Sequence, residues 1–364
     1  MAAPDTAPIR LTAGRARTRE NGLLAEAAGG RVGLAGVLGA LTRRATPVDT
    51  RGTTARRGFA WDREDQRSHW WPQGVTSSAD SGLPEGRPLL VTTSYAKEVG
   101  DVAMGSRITV VDLDSGPGPT YAHVLLVCPE VDDAGRLEVR PVRSHAGGIA
   151  WRGNQLHVGS TARGLYTFDL DDVVAAARTD HPHELGVLPD GGVAAYAHRF
   201  VLPARRLLKA GTAEGSTPFR YSFLSVSHEK TPQLWVGEYG RDGATTRLAT
   251  YGLADDGQVA TDEDGVAVPS YLADGGVPRM QGVAAVDGVL HVTTSNGRRG
   301  RGSIWVGTPG ALQQREKVLP PGPEDLCYRP AEDELWTVTE YPRRRLVLAL
   351  RRDSFPQPGQ GTWP

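Results

Sequence analysis

Four times along these 364 residues, a position that opens a short apolar strand lies sixteen residues before one that closes the next strand. The pairs are His145 and Thr161, Ser222 and Glu238, Gln281 and Gly297, and Glu324 and Glu340. A fifth pair, Gln73 and Tyr95, fits once an insertion around residues 81–86 is allowed. The closing strands read alike: Leu156-His-Val-Gly-Ser160, Leu234-Trp-Val-Gly-Glu-Tyr239, Leu290-His-Val-Thr-Thr-Ser295 and Leu335-Trp-Thr-Val-Thr-Glu-Tyr341. A chain that repeats one β unit buries each unit's apolar face against its neighbours, so a period of this kind decides the fold before local propensity does.

Each unit reads as four strands. The exception is the last, where only 325–328, 334–341 and 345–350 carry strand patterning before the chain turns Pro-rich. An unpaired edge there invites association, and the segment Thr53–Trp61 is placed to cover it as a fourth strand beside 345–350. The expectation is an all-β, five-bladed β-propeller over residues 51–352, closed by that N-terminal strand. Six blades fit only if 180–215 hides a degenerate unit. A short helix is expected at 171–178, and the outer strands of the second and third units at 193–201 and 266–271. Residues 1–50 read as an extension: polar, Arg-rich and disordered to about residue 20, then, with the helical period interrupted at Gly29-Gly30, helical over about 32–43 with a small apolar face, a shorter helix before it being the alternative. Residues 353–364 read as coil.

Composition excludes several classes. With 41 basic and 42 acidic side chains the net charge is −1, which gives no reason to expect nucleic acid or an anionic membrane as partner. Gly 45 and Pro 26 suit many short strands joined by tight turns. Cys128 and Cys327 fall at non-equivalent places in the repeat, as two free buried thiols of a reducing compartment would. The N-terminal Met1-Ala-Ala-Pro-Asp-Thr lacks the basic and apolar regions of a secretory signal. Together these make the cytoplasm the expected location, with secretion the alternative if a leader has been removed. Dinucleotide, Walker, nucleophile-elbow and zinc-protease motifs are all missing from the sequence.

In an up-and-down blade the start of the innermost strand and the end of the second strand share a pole. The repeat therefore gathers Gln73, Tyr95, His145, Glu238, Tyr239, Gln281, Asn296, Glu324, Asp325, Glu340 and Tyr341 around one channel mouth, with Trp71 beside it. Their polar identities differ while the apolar framework repeats, the pattern of a site grafted on a scaffold. Crowded carboxylates raise one another's pKa and supply a neutral acid and a charged base in one pocket. Two other readings stay open for them: Ca²⁺ or Mg²⁺ held by Glu238, Glu324, Asp325 and Asn296, or pairing with loop arginines at 163, 241, 298, 299 and 343. The leading assignment makes Glu324 and Glu340 the acid/base pair, His145 a second proton-transfer group and Glu238 an electrostatic stabiliser. Gln73, Gln281, Asn296, Asp325, Trp71, Tyr95, Tyr239 and Tyr341 would position the substrate. Gly74, Gly147, Gly148 and Gly282 are expected to permit close strand approach at the axis.

From about Gly52 to Leu350 the text resembles an actinobacterial family of propeller-like proteins. The stretches that carry the likeness are Trp70 to Asp80 (WWPQGVTSSAD), Gly105 to Leu113 (GSRITVVDL), His145 to Trp151 (HAGGIAW), Gly164 to Leu170 (GLYTFDL), Gly322 to Leu326 (GPEDL) and Val338 to Pro342 (VTEYP). The resemblance implies the fold and brings no activity; this chain departs from many of those relatives in having no apparent leader peptide, which fits a cytosolic role such as tailoring a specialised metabolite. The Gly322 to Leu326 stretch is also loosely similar to propeller lactonases and strictosidine-synthase-like proteins, in which an acidic residue enters the channel.

Two functions follow as expectations. One is a non-redox enzyme, a cyclase, lyase, isomerase or hydrolase, acting on a small organic molecule without a cofactor or with Ca²⁺ or Mg²⁺. The other is a propeller that binds a glycan, peptide or protein without chemistry.

Overall fold

The innermost strands are buried on both faces: Pro323–Arg329 is buried at every position although it carries Glu324, Asp325 and Arg329, a departure from the continuous apolar run such strands usually show. The computed structural model describes residues 8–51, 53–83, 86–97 and 103–356. The N-terminal hexapeptide and the coil expected at 357–364 lie outside them.

Five four-stranded antiparallel units follow one another. The first runs through Trp70–Ser77, Leu89–Ala96, Ser106–Asp112 and Thr120–Val131, and the second through Ile149–Arg152, Gln155–Ser160, Gly164–Asp169 and Phe200–Thr212. The third comprises Phe223–Val226, Gln233–Gly237, Arg247–Gly252 and Tyr271–Asp274; the fourth Met280–Val286, Val289–Thr294, Gly302–Gly307 and Gln313–Leu319. The fifth has Pro323–Arg329, Glu334–Thr339 and Leu346–Arg351, and its outer strand is Ala55–Ala60, antiparallel to Leu346–Arg351. The innermost strands touch in a closed cycle, first to second, second to third, and so on back from fifth to first. The molecule is a β-propeller.

The cores lie between sheets. Val110, Val124 and Leu126 of the first unit pack on Trp151, Leu156 and Phe168 of the second. Phe223 and Trp235 of the third meet Val283 and Leu290 of the fourth. Trp336, Val347 and Phe59 of the fifth meet Val75, Leu90 and Tyr121 of the first, so the closing strand contributes its own anchor to the last seam. At the axis the glycines act as spacers. A Cβ on Gly148 would lie 2.1 Å from Leu224 N, one on Gly74 2.8 Å from Ile149 N, and one on Gly282 2.5 Å from Leu326 N. Only hydrogen lets these backbones approach.

Several local expectations are corrected. The N-terminal stretch is not disordered from residue 8 on: Ile9–Ala13 is a strand antiparallel to Phe200–Thr212, with Ile9 and Leu11 wholly buried. Its Ile-x-Leu alternation outweighs the Arg-rich composition around it. There are two helices, Thr18–Ala27 and Gly33–Leu38, separated where Gly29 and Gly30 take left-handed conformations; the preceding helix is the longer of the two, and the one expected over 32–43 stops at Leu38. Residues 171–178 form no helix: the 3₁₀ turn Leu170–Asp172, capped by Asp169, is followed by the short strand Val174–Ala175, antiparallel to Phe200–Thr212. Val193–Ala195 pairs in a hairpin with Leu185–Val187, and the second unit's outer strand is the longer Phe200–Thr212. That strand begins parallel to Thr120–Val131, joining the first two units edge to edge. In the third unit the outer strand is Tyr271–Asp274, while Val266–Ala267 pairs with Ile9–Ala13. Among the described residues no helix is long and apolar enough to cross a membrane.

Candidate functional site

The channel mouth is built on irregularities in the innermost strands. In the first, fourth and fifth units the pairing register slips at Pro72/Val75, Met280/Gly282 and Pro323/Leu326. Those bulges hold Gln73, Gln281, and Glu324 with Asp325. A bulge re-aims a side chain at a strand end, and here it turns one side chain from each of three units into a shared space. His145 reaches the same space by a tight bend. Ala146, fully buried, sits at φ 52, a strained conformation that persists only where its surroundings impose it. Ser144 Oγ donates to Gly159 O at 2.9 Å and accepts from Ala146 N at 3.1 Å, and Thr93 Oγ1 donates to Ala146 O at 2.7 Å.

The resulting cavity holds about 300 Å³ and is lined by Gln73, His145, Thr161, Arg220, Ser222, Tyr239, Gln281, Glu324 and Glu340. Gln281 Nε2 donates to Glu324 Oε1 at 3.2 Å. Gln73 Nε2 donates to Pro72 O at 2.7 Å and lies 3.5 Å from Glu340 Oε2. Burial, then the charges of Glu340 and Asp325, push the Glu324 carboxyl well above its ordinary range. Burial raises Glu340 as well, opposed by Tyr341, Lys97, Gln73 and Arg345. The Tyr95 phenol, pushed up to about 12 by burial and by both glutamates, stays neutral. Its ring stacks on His145 at 4.4 Å. His145 exposes part of its ring at the mouth, yet the wall around it and the charge of Lys97 push its pKa down. The imidazole is therefore held toward its neutral form. Outside the cavity, Lys97 Nζ lies 3.3 Å from the centre of the Trp71 ring, which meets Tyr341 edge-on at 6.0 Å.

Three sequence candidates stand elsewhere. Glu238 is fully buried but not free: Arg247 donates to both of its oxygens at 2.9 and 3.0 Å, and Arg220 N donates at 3.0 Å. Burial alone would raise its pKa; these partners overcome that and hold it low. Its cations come from Arg247 and Arg220 (at 3.8 Å), not from the loop arginines expected. Asp325 lies fully buried beneath the cavity, where Oδ2 accepts from Val75 N and Ile149 N at 3.3 Å each and ties three innermost strands together. Asn296 is exposed and donates to Arg301 O at 2.9 Å. The metal set proposed from sequence is thus dispersed, and among the described residues no three His, Cys, Asp or Glu side chains are grouped to hold an ion. Sequence reasoning overlooked Arg220, Ser144 and Thr93. Arg220 lies three positions before Phe223–Val226, against four for His145 before Ile149–Arg152, and two before Ser222, so the sixteen-residue period does not mark it.

No family model and no curated protein matches the sequence, so the family resemblance rests on its motifs alone. Among solved structures, the chain is similar to a gluconolactonase from Xanthomonas campestris, with 13% identity over 85% of each chain and a TM-score of 0.37. It is similar also to the Cps50 (Swd1) β-propeller domain from Myceliophteria thermophila, with 10% identity over 77% of this chain and 96% of that one and a TM-score of 0.37. A GH43 β-xylosidase/α-arabinofuranosidase from a compost microbial metagenome shares 10% identity over 82% and 94%, with a TM-score of 0.38. At this distance nothing passes from them to the site.

Proposed function

We propose that the protein is a non-redox enzyme of the cyclase, lyase, isomerase or hydrolase type, performing acid/base chemistry on a small polar organic molecule in the axial cavity. The observation that carries this reading is a buried carboxyl, Glu324, in the same cavity as the imidazole of His145, with no cation beside the carboxyl among the described residues. A buried acid left unneutralised costs stability, and such groups concentrate where chemistry uses them. Glu324, whose carboxyl is biased toward the protonated form by burial and by its acidic neighbours, is the proton donor. His145, neutral and stacked on Tyr95, is the acceptor. Glu340 meets positive charge as it develops on the substrate, and the amides of Gln73 and Gln281 orient hydroxyl or carbonyl groups. Glu238 has no free oxygen for the role of electrostatic stabiliser and instead fixes the Arg220 wall.

A cavity of about 300 Å³ lies at the lower end of the range for small-molecule sites, which suits one ring system and not an extended glycan or peptide. The test is turnover of a panel of lactones, monosaccharide glycosides and polycyclic alcohols, read by mass and NMR, with wild type, Glu324→Gln and His145→Ala. Each substitution is expected to lower the rate by about 10²–10⁴-fold. Full turnover in both variants overturns the assignment. A compound that binds and is recovered intact makes the protein a binding module, the reading that the Trp71–Lys97–Tyr341 shelf favours.

A further inference from the structure

A second and larger cavity, about 870 Å³, opens on the flank where the first two units join. Its floor is aromatic and imidazole: Trp70 meets His198 edge-on at 5.3 Å, and His123 lies 6.5 Å from His198. Its lip bends through two successive non-glycine residues in the left-handed region, Tyr196 at φ 50 and Ala197 at φ 61, a strain that ligand clamps commonly hold.

Five arginines line this cavity against two acids. Arg107 and Arg43 are spent on buried Asp65, at 2.8 and 3.4 Å, and Arg43 also pairs with Glu64. Arg63, Arg67 and Arg199 are exposed and form no ion pair among the described residues. Arg63 and Arg67 have no side-chain partner among the described residues, and Arg199 has only the Phe200 ring, 5.6 Å from its guanidinium; on a chain whose net charge is −1 this is a local positive field without an anionic partner. The floor adds a separate demand. His198 is buried, and its Nδ1–H donates to Ala195 O at 3.0 Å, which leaves Nε2 a lone-pair acceptor; that atom is enclosed and has no partner. Such a group calls for a donor. The imidazole cannot resolve this by taking a proton, because burial and then Arg107 and His123 push its pKa down to about 3.

We propose that this flank cavity binds a small hydroxylated organic anion. Arg63, Arg67 and Arg199 take its carboxylate or phosphate in charge-assisted hydrogen bonds, and a hydroxyl turns toward the His198 wall. The site is separate from the axial cavity, with which it shares no lining residue.

Calorimetric titration with gluconate and with glucose 6-phosphate, in about 0.1 M NaCl, tests the proposal and tells a carboxylate from a phosphate ester on one skeleton; glucose is the neutral control. At least one anion is expected to bind with a submillimolar Kd while glucose does not. Arg63→Ala/Arg67→Ala/Arg199→Ala should weaken that affinity at least tenfold and leave the thermal midpoint unchanged, since all three side chains are exposed; Arg67→Glu alone serves if the triple variant folds poorly. Glu324→Gln in the axial cavity should leave the affinity as it is. No binding by either anion at about 10 mM, equal affinity in the arginine variants, or loss of affinity in Glu324→Gln would each overturn the proposal.

Discussion

Glu324 is held among carboxyl neighbours and amides, and its folded-state pKa lies above the ordinary value. The sign of the consequence is fixed. A carboxyl whose pKa is raised on folding contributes stability that is complete below its unfolded pKa and is lost as pH rises through the folded one. Glu324→Gln keeps the shape and the hydrogen bond from Gln281 in a rotated amide, and removes the ionisation. It should therefore stabilise the unliganded protein at pH 8 by about 1–3 kcal/mol, with a smaller gain at pH 5, as read by urea denaturation. A variant less stable than wild type at pH 8 would show that the carboxylate is satisfied in the fold. Glu238 shows what satisfaction looks like: buried to the same degree, it holds a fork of hydrogen bonds from Arg247 and a lowered pKa.

At the scale of elements, the strand Ala55–Ala60 does the closing. Phe59 is buried between Trp61, edge-on at 5.5 Å, and Trp336 at 6.5 Å, while Arg57 pairs with Glu334 at 2.8 Å and lies over the Trp336 ring. Phe59→Ala should cost about 3–5 kcal/mol in equilibrium unfolding, far more than truncating an exposed residue of the same strand. A loss below about 1 kcal/mol would mean that the ring of sheets stands without this seam. The strand units were legible because the sixteen-residue period and the Leu-x-Val cores repeat. Two glycine spacers were legible because Gly74 and Gly282 directly follow the repeat positions Gln73 and Gln281; Gly148 lies three residues after His145. What escaped sequence reasoning has a common cause. The helix boundaries and the buried strand Ile9–Ala13 lie outside the repeat, and the long strand Phe200–Thr212 is set apart from its partner Gly164–Asp169 by an inserted segment, so that pairing distant in sequence overrides local composition. The site was legible in part for the same reason: Gln73, His145, Gln281, Glu324 and Glu340 sit at repeat positions and line one cavity, whereas the partners of Glu238 and the depth of Asp325 depend on three-dimensional neighbours that spacing does not encode.

The whole molecule carries six imidazoles whose pKa values burial depresses: His69, His123, His145, His157, His198 and His291. Each contributes stability that is present above the unfolded value of 6.5 and lost as pH falls toward the folded one. The thermal midpoint should therefore fall steadily from pH 7.5 to pH 5, before ordinary carboxylates titrate. A flat profile over that range would contradict the burial assigned to these rings. The raised glutamates act in the opposite sense at higher pH, so the two groups bound a stability maximum near neutrality. The central claim, that the axial cavity keeps a protonated carboxyl ready as an acid, is tested most directly by carbon-13 NMR. The protein would be labelled at glutamate carboxyls, titrated across neutral pH, and the Glu324 signal assigned by its loss in Glu324→Gln. Because Glu324 and Glu340 interact, they titrate as a pair. The account predicts that one signal of that pair titrates well above the ordinary 4.5; both signals titrating at or below 4.5 would contradict it and leave the cavity without its acid.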